Sequence, residues 1–138
     1  MNGSKIQSSY VSSSETRGLL AASRESRALR IAAADMVSAG EAARIAKASP
    51  NTVRRWAASG RAIGLTIANR LRMPSWQFDV AIWDALPKVS AALGLKDGWV
   101  LLAFLESPHP GLGGATPRAA LEQGQLDRVL SIAVAEGL

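Results

Sequence analysis

Two helix-start signals close together near the middle of the chain constrain its fold more than any other feature. Residues 38–41 read Ser-Ala-Gly-Glu, a capping box in which the serine and glutamate side chains each accept a hydrogen bond from the other residue's backbone amide. Ser49 provides a second N-cap, and Pro50 follows at the first helical position, where its missing N–H costs nothing. We predict one helix ending near Ala46 and a second ending at Gly60. Two short helices joined by a tight turn are typical of a helix-turn-helix.

The periodicity of the second helix predicts which of its side chains are exposed. Val53, Trp56 and Ala57 share one stripe, which we expect to pack on the first helix. Asn51 and Arg55 lie on the opposite side of the helix. Since Asn pairs with adenine and Arg with guanine in two-bond geometries, these two residues are the candidates for reading DNA bases.

After Gly60 the sequence pattern changes from helical to alternating. Residues 63–67 and 70–73, closed by a proline, predict a β-hairpin that turns at residues 68 and 69. Arg70 and Arg72 then share one face of the second strand, where they can contact phosphates as the wing of a winged helix-turn-helix. A hairpin with charged residues facing solvent is an equally common surface feature.

Positive charge is concentrated in the same region of the chain. The net charge is +5, residues 35–73 carry seven cations against two acids, and residues 74–138 carry seven acids against four cations. This distribution favours a phosphate-binding first half, although an unevenly charged solvated surface would look the same. The candidate DNA-binding residues are Lys47, Asn51, Thr52, Arg54, Arg55, Arg70 and Arg72.

The predicted organisation has three parts. Residues 1–15 are rich in serine and predict a flexible tail, and residues 16–73 comprise an N-terminal helix followed by the winged helix-turn-helix. One face of the N-terminal helix mixes apolar and cationic groups, and the sequence fits solvated arginines as well as arginines that face phosphates. Residues 74–138 form a compact helical domain, so the predicted fold class is mainly α with one small β-hairpin.

The helical domain is predicted from proline, glycine and cap signals. We expect a helix over 82–93 that Pro87 interrupts, a helix over 98–106 capped by Asp97, and a loop over 108–115. A further helix starts at Thr116-Pro117, and a last one covers 125–136. The last helix is expected to bury an apolar stripe made of Leu126, Val129, Leu130 and Ala133.

Several function classes find no support in the residues. The chain has no cysteine and one histidine, which argues against disulfides, thiol chemistry and a transition-metal site. His109 lies between two prolines without a nucleophile motif, and no paired-carboxylate or phosphate-loop signature is present. No long apolar run or secretory signal is visible. We therefore predict a cytoplasmic protein that is not an enzyme and needs no cofactor or metal.

Several stretches in the second half resemble a known family. The quoted motifs are Arg-Met-Pro-Ser-Trp-Gln-Phe-Asp at 72–79, Leu-Ala-Phe-Leu-Glu-Ser-Pro-His-Pro at 102–110, Leu-Gly-Gly-Ala-Thr-Pro at 112–117, Ala-Leu-Glu-Gln-Gly at 120–124 and Val-Leu at 129–130. Residues 72–135 resemble the toxin-binding domain of the Xre/MbcA/ParS-type antitoxins, the partners of RES-domain toxins. Residues 38–73 are similar to winged, excisionase-like helix-turn-helix modules.

The resemblance implies a homodimeric antitoxin of a type II toxin–antitoxin pair. Such a protein represses its own operon by binding double-stranded operator DNA and blocks a RES-domain toxin that consumes NAD or ADP-ribosylates a target. The residues that the resemblance marks for toxin binding are His109, Leu112, Glu136, Gly137 and Leu138, with the end of the last helix entering the toxin's NAD cleft.

The sequence departs from the helix-turn-helix pattern in the turn, where Lys47 stands in place of the common glycine and must adopt an unusual backbone. The family also commonly begins with a different, Xre-like DNA-binding region. Two other interpretations stay open: an orphan DNA-binding transcription regulator without a toxin, and an interaction module that does not bind DNA.

Overall fold

A computed structural model describes residues 23–94 and 97–137 of the chain, which divides into two compact units at residues 1–34 and 35–138. In the first unit, residues 23–31 are helical and form α1. The predicted tail over 1–15 and the predicted start of this helix lie outside the described residues.

The second unit begins with the predicted helix-turn-helix. Helix α2 covers Ala39–Ala46 and helix α3 covers Pro50–Ser59. Both bonds of the capping box at α2 are present, since the Ser38 amide donates to Glu41 Oε1 (3.0 Å) and the Glu41 amide donates to Ser38 Oγ (3.2 Å). At α3 the Thr52 amide donates to the Ser49 hydroxyl at 3.1 Å. The predicted caps and the helix-turn-helix are confirmed.

The turn between α2 and α3 has the unusual backbone conformation that the sequence predicts at Lys47. Lys47 adopts the left-handed conformation, with φ 56° and ψ 48°. For a non-glycine residue this conformation costs about 1–2 kcal/mol. The packing of α2 on α3 must offset this cost, and the same conformation occurs at Gly60, which ends α3.

The predicted hairpin is part of a three-stranded antiparallel sheet. Strand β1 covers Met36–Ser38, β2 covers Leu65–Ile67 and β3 covers Arg70–Pro74, in the order β1-β3-β2. Both turn residues between β2 and β3, Ala68 and Asn69, have positive φ angles, as a tight two-residue hairpin requires. The hairpin is confirmed, whereas β1 is an element that the sequence analysis missed.

The remainder of the second unit is helical. A 3-10 turn at Ser75–Phe78 precedes α4 (Val80–Trp83), α5 (Leu86–Leu93) and α6 (Gly98–Glu106), and a 3-10 turn at Pro110–Leu112 precedes α7 (Pro117–Glu122) and α8 (Leu126–Gly137). The predicted helical segment over 82–93 is interrupted as expected and ends at Leu93, but the break lies at residues 84 and 85 and not at Pro87. Pro87 lies in the first turn of α5, where a proline is tolerated, and so marks a helix start instead of an interruption.

The core of the helical region lies between α5 and α8, which pack along each other. Val129 and Ala133 are fully buried there, as predicted. Leu126 and Leu130 are only half-buried, so the predicted four-residue stripe is too wide. None of the helices in the described residues is long and apolar enough to cross a membrane.

The helix-turn-helix and the helices after the sheet are held together by a buried glutamine. Gln77 is fully buried, its Nε2 donates to the Ile63 carbonyl (2.9 Å), and its Oε1 accepts from the Ile63 amide (2.7 Å). These two hydrogen bonds pair both the amide and the carbonyl of Ile63 with a side chain instead of a neighbouring strand. This explains why β2 begins at Leu65 and not at Ile63. The predicted domain boundary at residues 73 and 74 falls inside β3.

Candidate nucleic-acid interface and partner-binding surface

The two faces of α3 differ sharply in exposure. Val53 is fully buried against α2, and Trp56 and Ala57 are partly buried beside it. Asn51, Arg55 and Ala58 are exposed on the other side of the helix. The structure therefore places the two candidate base-reading residues side by side on the solvent side of a helix whose other side is anchored in the core.

Hydrogen bonds within α3 hold these exposed side chains in place. Arg55 Nη2 donates to Thr52 Oγ1 at 3.1 Å, and the Ser49 hydroxyl donates to the same oxygen at 2.9 Å. Arg54 Nη1 lies 3.5 Å from Asn51 Oδ1, a long hydrogen bond that is easily exchanged for another acceptor. Thr52 thus orients Arg55 and links it to the N-cap, while Asn51 keeps most of its hydrogen-bonding capacity available.

A groove beside α3 brings together arginines from two elements. It has a volume of about 280 Å³ and is lined by Ser38, Ala39, Gly40, Arg54, Asn69, Arg70, Leu71 and Arg72. Arg54 comes from α3, and Arg70 and Arg72 come from β3. Arg72 is half-buried and donates from Nη1 to the Leu71 carbonyl at 3.0 Å, whereas Arg70 is exposed. A concave surface with several guanidinium groups is suited to phosphate oxygens.

An acidic side chain lies close to this groove. The pKa of the Glu41 carboxyl is lowered, first by the hydrogen bond from the Ser38 backbone amide, then by that from the Ser38 hydroxyl, and further by the positive charges of Arg44 and Arg72. Glu41 is exposed and therefore carries a full negative charge at neutral pH. The groove therefore has one negative charge beside it, and this charge repels a phosphate.

The structure gives the other cations of this region different roles. Lys47 is exposed in the turn between α2 and α3. Arg61 instead stacks on the ring of Trp83, 3.5 Å from its centroid, and donates from Nη1 to the Trp83 carbonyl at 2.7 Å. Burial lowers the pKa of Arg61, against the opposing charge of Asp84. Arg61 therefore stabilises the packing of α4 and is not placed to bind DNA.

The residues that the resemblance marks for toxin binding lie where the loop over 108–115 meets α8. His109 Nδ1 accepts a hydrogen bond from the Gly111 amide at 2.9 Å, and His109 Nε2 lies 3.6 Å from Glu136 Oε1. Because Nδ1 accepts a hydrogen bond, Nε2 is the ring nitrogen left to donate, and it faces the carboxylate. Leu112 is buried and supports the loop from inside. His109 and Glu136 are brought together, and Leu138 lies outside the described residues.

The end of α8 packs on the chain itself. A Cβ atom added at Gly137 would lie 2.9 Å from the carbonyl oxygens of both Ala92 and Leu93. This contact leaves room only for glycine as the helix passes the end of α5. Glu136 and Gly137 are thus fixed in position relative to α5 and the loop, and they present one continuous surface with His109.

A pocket of about 280 Å³ adjoins this surface, and the sequence analysis did not anticipate it. Its lining consists of Leu93, Val100, Ala103, Phe104, Ser107, Pro108, His109, Pro117 and Glu136. Val100 and Ala103 are exposed on the outer side of α6. The signal for this pocket was present in the sequence, because α6 is apolar on all sides except at Glu106, so a short helix could not bury all of its apolar groups.

Within residues 23–94 and 97–137, the structure contains no group of three His, Cys, Asp or Glu side chains that could hold a metal ion.

No protein-family model, curated protein or solved structure matches the chain. The resemblance to the antitoxin family therefore rests on the sequence motifs alone.

Proposed function

We propose that this chain is a non-catalytic, DNA-binding repressor whose helical region binds and neutralises a RES-domain toxin, as the antitoxin of a type II pair. The observation that carries the proposal is the exposed side of α3. Asn51 and Arg55 face solvent there, next to a groove in which Arg54, Arg70 and Arg72 meet.

Helix α3 enters the major groove of duplex DNA with its exposed side towards the bases. A good bidentate contact between such a side chain and a base edge discriminates against the wrong base by about 1–3 kcal/mol. Asn51 supplies a bidentate contact for adenine, and Arg55 supplies one for guanine. Because Thr52 already orients Arg55, part of the entropy cost of ordering this side chain is met before DNA binds.

The arginines beside α3 fix the position of the protein on the DNA backbone. Arg54, Arg70 and Arg72 bind phosphates in the groove between α3 and β3, and Lys47 adds a charge at the turn. Phosphate contacts of this kind set register and orientation but carry no sequence information. Replacing any of them weakens binding to all sequences alike, and replacing Asn51 or Arg55 relaxes specificity.

The helical region binds the toxin through the surface formed by His109, Glu136 and Gly137. The motif resemblance over residues 72–135 supports this role, and the acidic excess of residues 74–138 sets this surface apart from the basic DNA-binding region. In this proposal the loop over 108–115 and the end of α8 cover the toxin's NAD site. A homodimer presents two copies of α3 to a two-fold operator.

The DNA-binding part is tested by selecting duplexes from a random pool with the full chain and then measuring affinity by fluorescence anisotropy. We expect Asn51→Ala and Arg55→Ala each to weaken binding to the selected duplex by about 1–3 kcal/mol. Arg128→Ala removes an exposed cation from α8 and is the matched control, which should bind as the wild type does. Undiminished affinity in the Asn51→Ala/Arg55→Ala double variant would show that α3 does not read the bases.

The toxin-binding part is tested by co-expression with a RES-domain toxin encoded next to this chain, scoring growth and cellular NAD. Deleting residues 136–138 should weaken protection while circular dichroism and DNA binding stay unchanged. Ser131→Ala, an exposed change earlier on α8, is the control. Full protection by the shortened chain would assign the blocking role to the loop over 108–116.

The two experiments also distinguish the alternative functions. A chain that binds DNA but no toxin would be an orphan regulator, and a chain that binds a toxin but no DNA would be an interaction module.

A further inference from the structure

The pocket beside His109 and Glu136 has the size and the walls of a site for a single side chain. Its volume is about 280 Å³, and its apolar lining comes from Leu93, Val100, Ala103, Phe104, Pro108 and Pro117. Pockets that enclose a drug-sized ligand measure about 300–1,000 Å³. This pocket lies just below that range, so it suits one long side chain better than a whole cofactor.

A carboxylate at this pocket keeps its capacity to accept hydrogen bonds. Glu136 is part of the lining, and its side chain is 49% exposed. His109 Nε2 lies 3.6 Å from Glu136 Oε1, which is too far for a hydrogen bond. Among the residues that the structure describes, the lining includes no lysine or arginine. The carboxylate is therefore available to a cation that comes from another molecule.

Three helices end at the same pocket. Helix α5 ends at Leu93, the last turn of α6 contributes Ala103 and Phe104, and α8 ends at Gly137, next to Glu136. The last carbonyl groups of a helix carry a partial negative charge. The pocket thus combines apolar walls, a carboxylate and the negative ends of three helices, and charge complementarity requires a cation.

The positive groups beside the pocket do not oppose this. Pro117 begins α7 in the lining, and a proline has no N–H to offer. The Ala119 amide of the same first turn donates to the Thr116 hydroxyl at 3.1 Å. The neighbouring cation, Arg118, is held over the ring of Trp76, 4.2 Å from its centroid.

We propose that this pocket receives one arginine side chain of the partner protein. The methylene groups of the arginine pack on the apolar walls, and its guanidinium reaches the Glu136 carboxylate. Arginine fits better than lysine because its planar guanidinium forms two parallel hydrogen bonds to a carboxylate and is more weakly hydrated. The proposal rests on the proposed function for the identity of the partner, a RES-domain toxin, but the chemistry of the pocket is testable without the toxin.

The pocket is tested with N-butylguanidinium as the probe, titrated into the isotope-labelled full chain and followed by NMR. We expect the amide signals of Ala103, Phe104 and Ser107 to shift and saturate with a dissociation constant of about 1–10 mM, as suits so small a ligand. N-butylurea has the same shape without the charge and should bind about five- to ten-fold more weakly. Equal affinity for the two compounds would overturn the proposal, and so would equally tight binding of n-pentylammonium, which imitates lysine.

Two variants separate the charge from the cavity. Glu136→Gln should weaken butylguanidinium binding by about five- to ten-fold and leave butylurea binding unchanged. Ala103→Leu adds apolar volume at an exposed position of the lining and should weaken both compounds. Asp127→Asn removes an exposed acid from the other end of α8 and is the matched control, which should bind both compounds as the wild type does. Unchanged butylguanidinium binding in Glu136→Gln would overturn the proposal.

The partner is tested by calorimetry with the RES-domain toxin encoded next to this chain, each of whose arginines is changed in turn to alanine. We expect one toxin variant to lose about ten-fold or more in affinity for the wild-type chain. The same variant should lose much less against Glu136→Gln, because the two changes remove one interaction. Losses that add for every toxin arginine would overturn the assignment. A toxin that does not bind at all would contradict the proposed function instead, and the butylguanidinium titration would still decide whether the pocket holds a guanidinium.

Discussion

Gly98, the first residue of α6, lies directly against the carbonyl group of Gly64, which precedes β2. A Cβ atom added at Gly98 would overlap the Gly64 oxygen, and a Cβ atom added at Gly64 would lie 2.5 Å from the Cβ of Ala57 on α3. The helix that carries the candidate base-reading residues, the start of the hairpin and the first turn of α6 thus meet at two glycines. The geometry of the candidate DNA-binding region depends on this close approach.

Adding a methyl group at this contact should destabilise the protein. We expect Gly98→Ala to lower the free energy of unfolding by about 1–3 kcal/mol, the usual cost of forcing extra volume into a well-packed site. Gly40→Ala is the control, since its Cβ would meet only Ser38 Oγ at 3.9 Å. Within a helix this change should be neutral or stabilise by about 0.5–1 kcal/mol. Urea denaturation of both variants measures the difference, and equal stability would contradict the close contact.

The buried pairing of Gln77 with Ile63 predicts a second large effect on stability. Gln77→Leu keeps the volume but leaves both the amide and the carbonyl of Ile63 without a partner. Each unpaired buried group costs about 1–3 kcal/mol, so we expect the two together to cost about 2–6 kcal/mol. The same substitution at the exposed Gln125 is the control and should change stability by less than about 0.5 kcal/mol. A small loss at Gln77 would mean that water reaches the Ile63 backbone.

Removing the charge of Glu41 should strengthen DNA binding. Gln completes a capping box as Glu does, so Glu41→Gln preserves the start of α2 while it removes the repulsion between this carboxylate and phosphates in the groove. We expect affinity for duplex DNA to rise by about two- to five-fold at low salt and the gain to shrink as salt is added. Asp127→Asn removes the same charge from α8 and should leave affinity unchanged, which anisotropy titrations measure.

The lowered pKa of Glu41 also predicts how stability depends on pH. A carboxyl whose pKa is lower in the folded than in the unfolded state stabilises the fold above its unfolded pKa, and this stabilisation disappears as the pH falls through the folded value. The wild type should therefore exceed Glu41→Gln in denaturation midpoint near neutral pH, and the difference should vanish in acid. Thermal denaturation at a series of pH values measures it. A difference that is constant with pH would contradict the role assigned to the Ser38 hydrogen bonds.

Local signals allowed much of the fold to be predicted from the sequence. The caps at Ser38, Ser49, Asp97 and Thr116 all form as their residue types require, because an N-cap needs only the next few residues. The hairpin was predictable for the same reason, since its register depends on its turn. The position of the break near Pro87 was not predictable, because a proline inside an apolar run gives the same sequence pattern whether it interrupts a helix or begins one.

Contacts between distant residues could not be predicted in this way. Strand β1 is three residues long and exists because Met36 pairs with Pro74 across the sheet. Arg61 stacks on Trp83 and so does not belong to the candidate DNA-binding surface, although the charge count alone includes it there. At the candidate partner-binding surface, the contact between His109 and Glu136 depends on how α8 packs, which no local pattern determines.

The central claim is that the exposed side of α3 faces DNA, and a cleavage experiment tests it most directly. The chain contains no cysteine, so Ala58→Cys provides a unique attachment point for an iron chelate on the exposed side of α3, about one turn beyond Arg55. Ser131→Cys places the same reagent on the exposed side of α8. On a selected duplex, the chelate at residue 58 should cut the DNA within the protected site, and the chelate at residue 131 should cut it weakly or not at all. Strong cleavage from residue 131 with none from residue 58 would contradict the account.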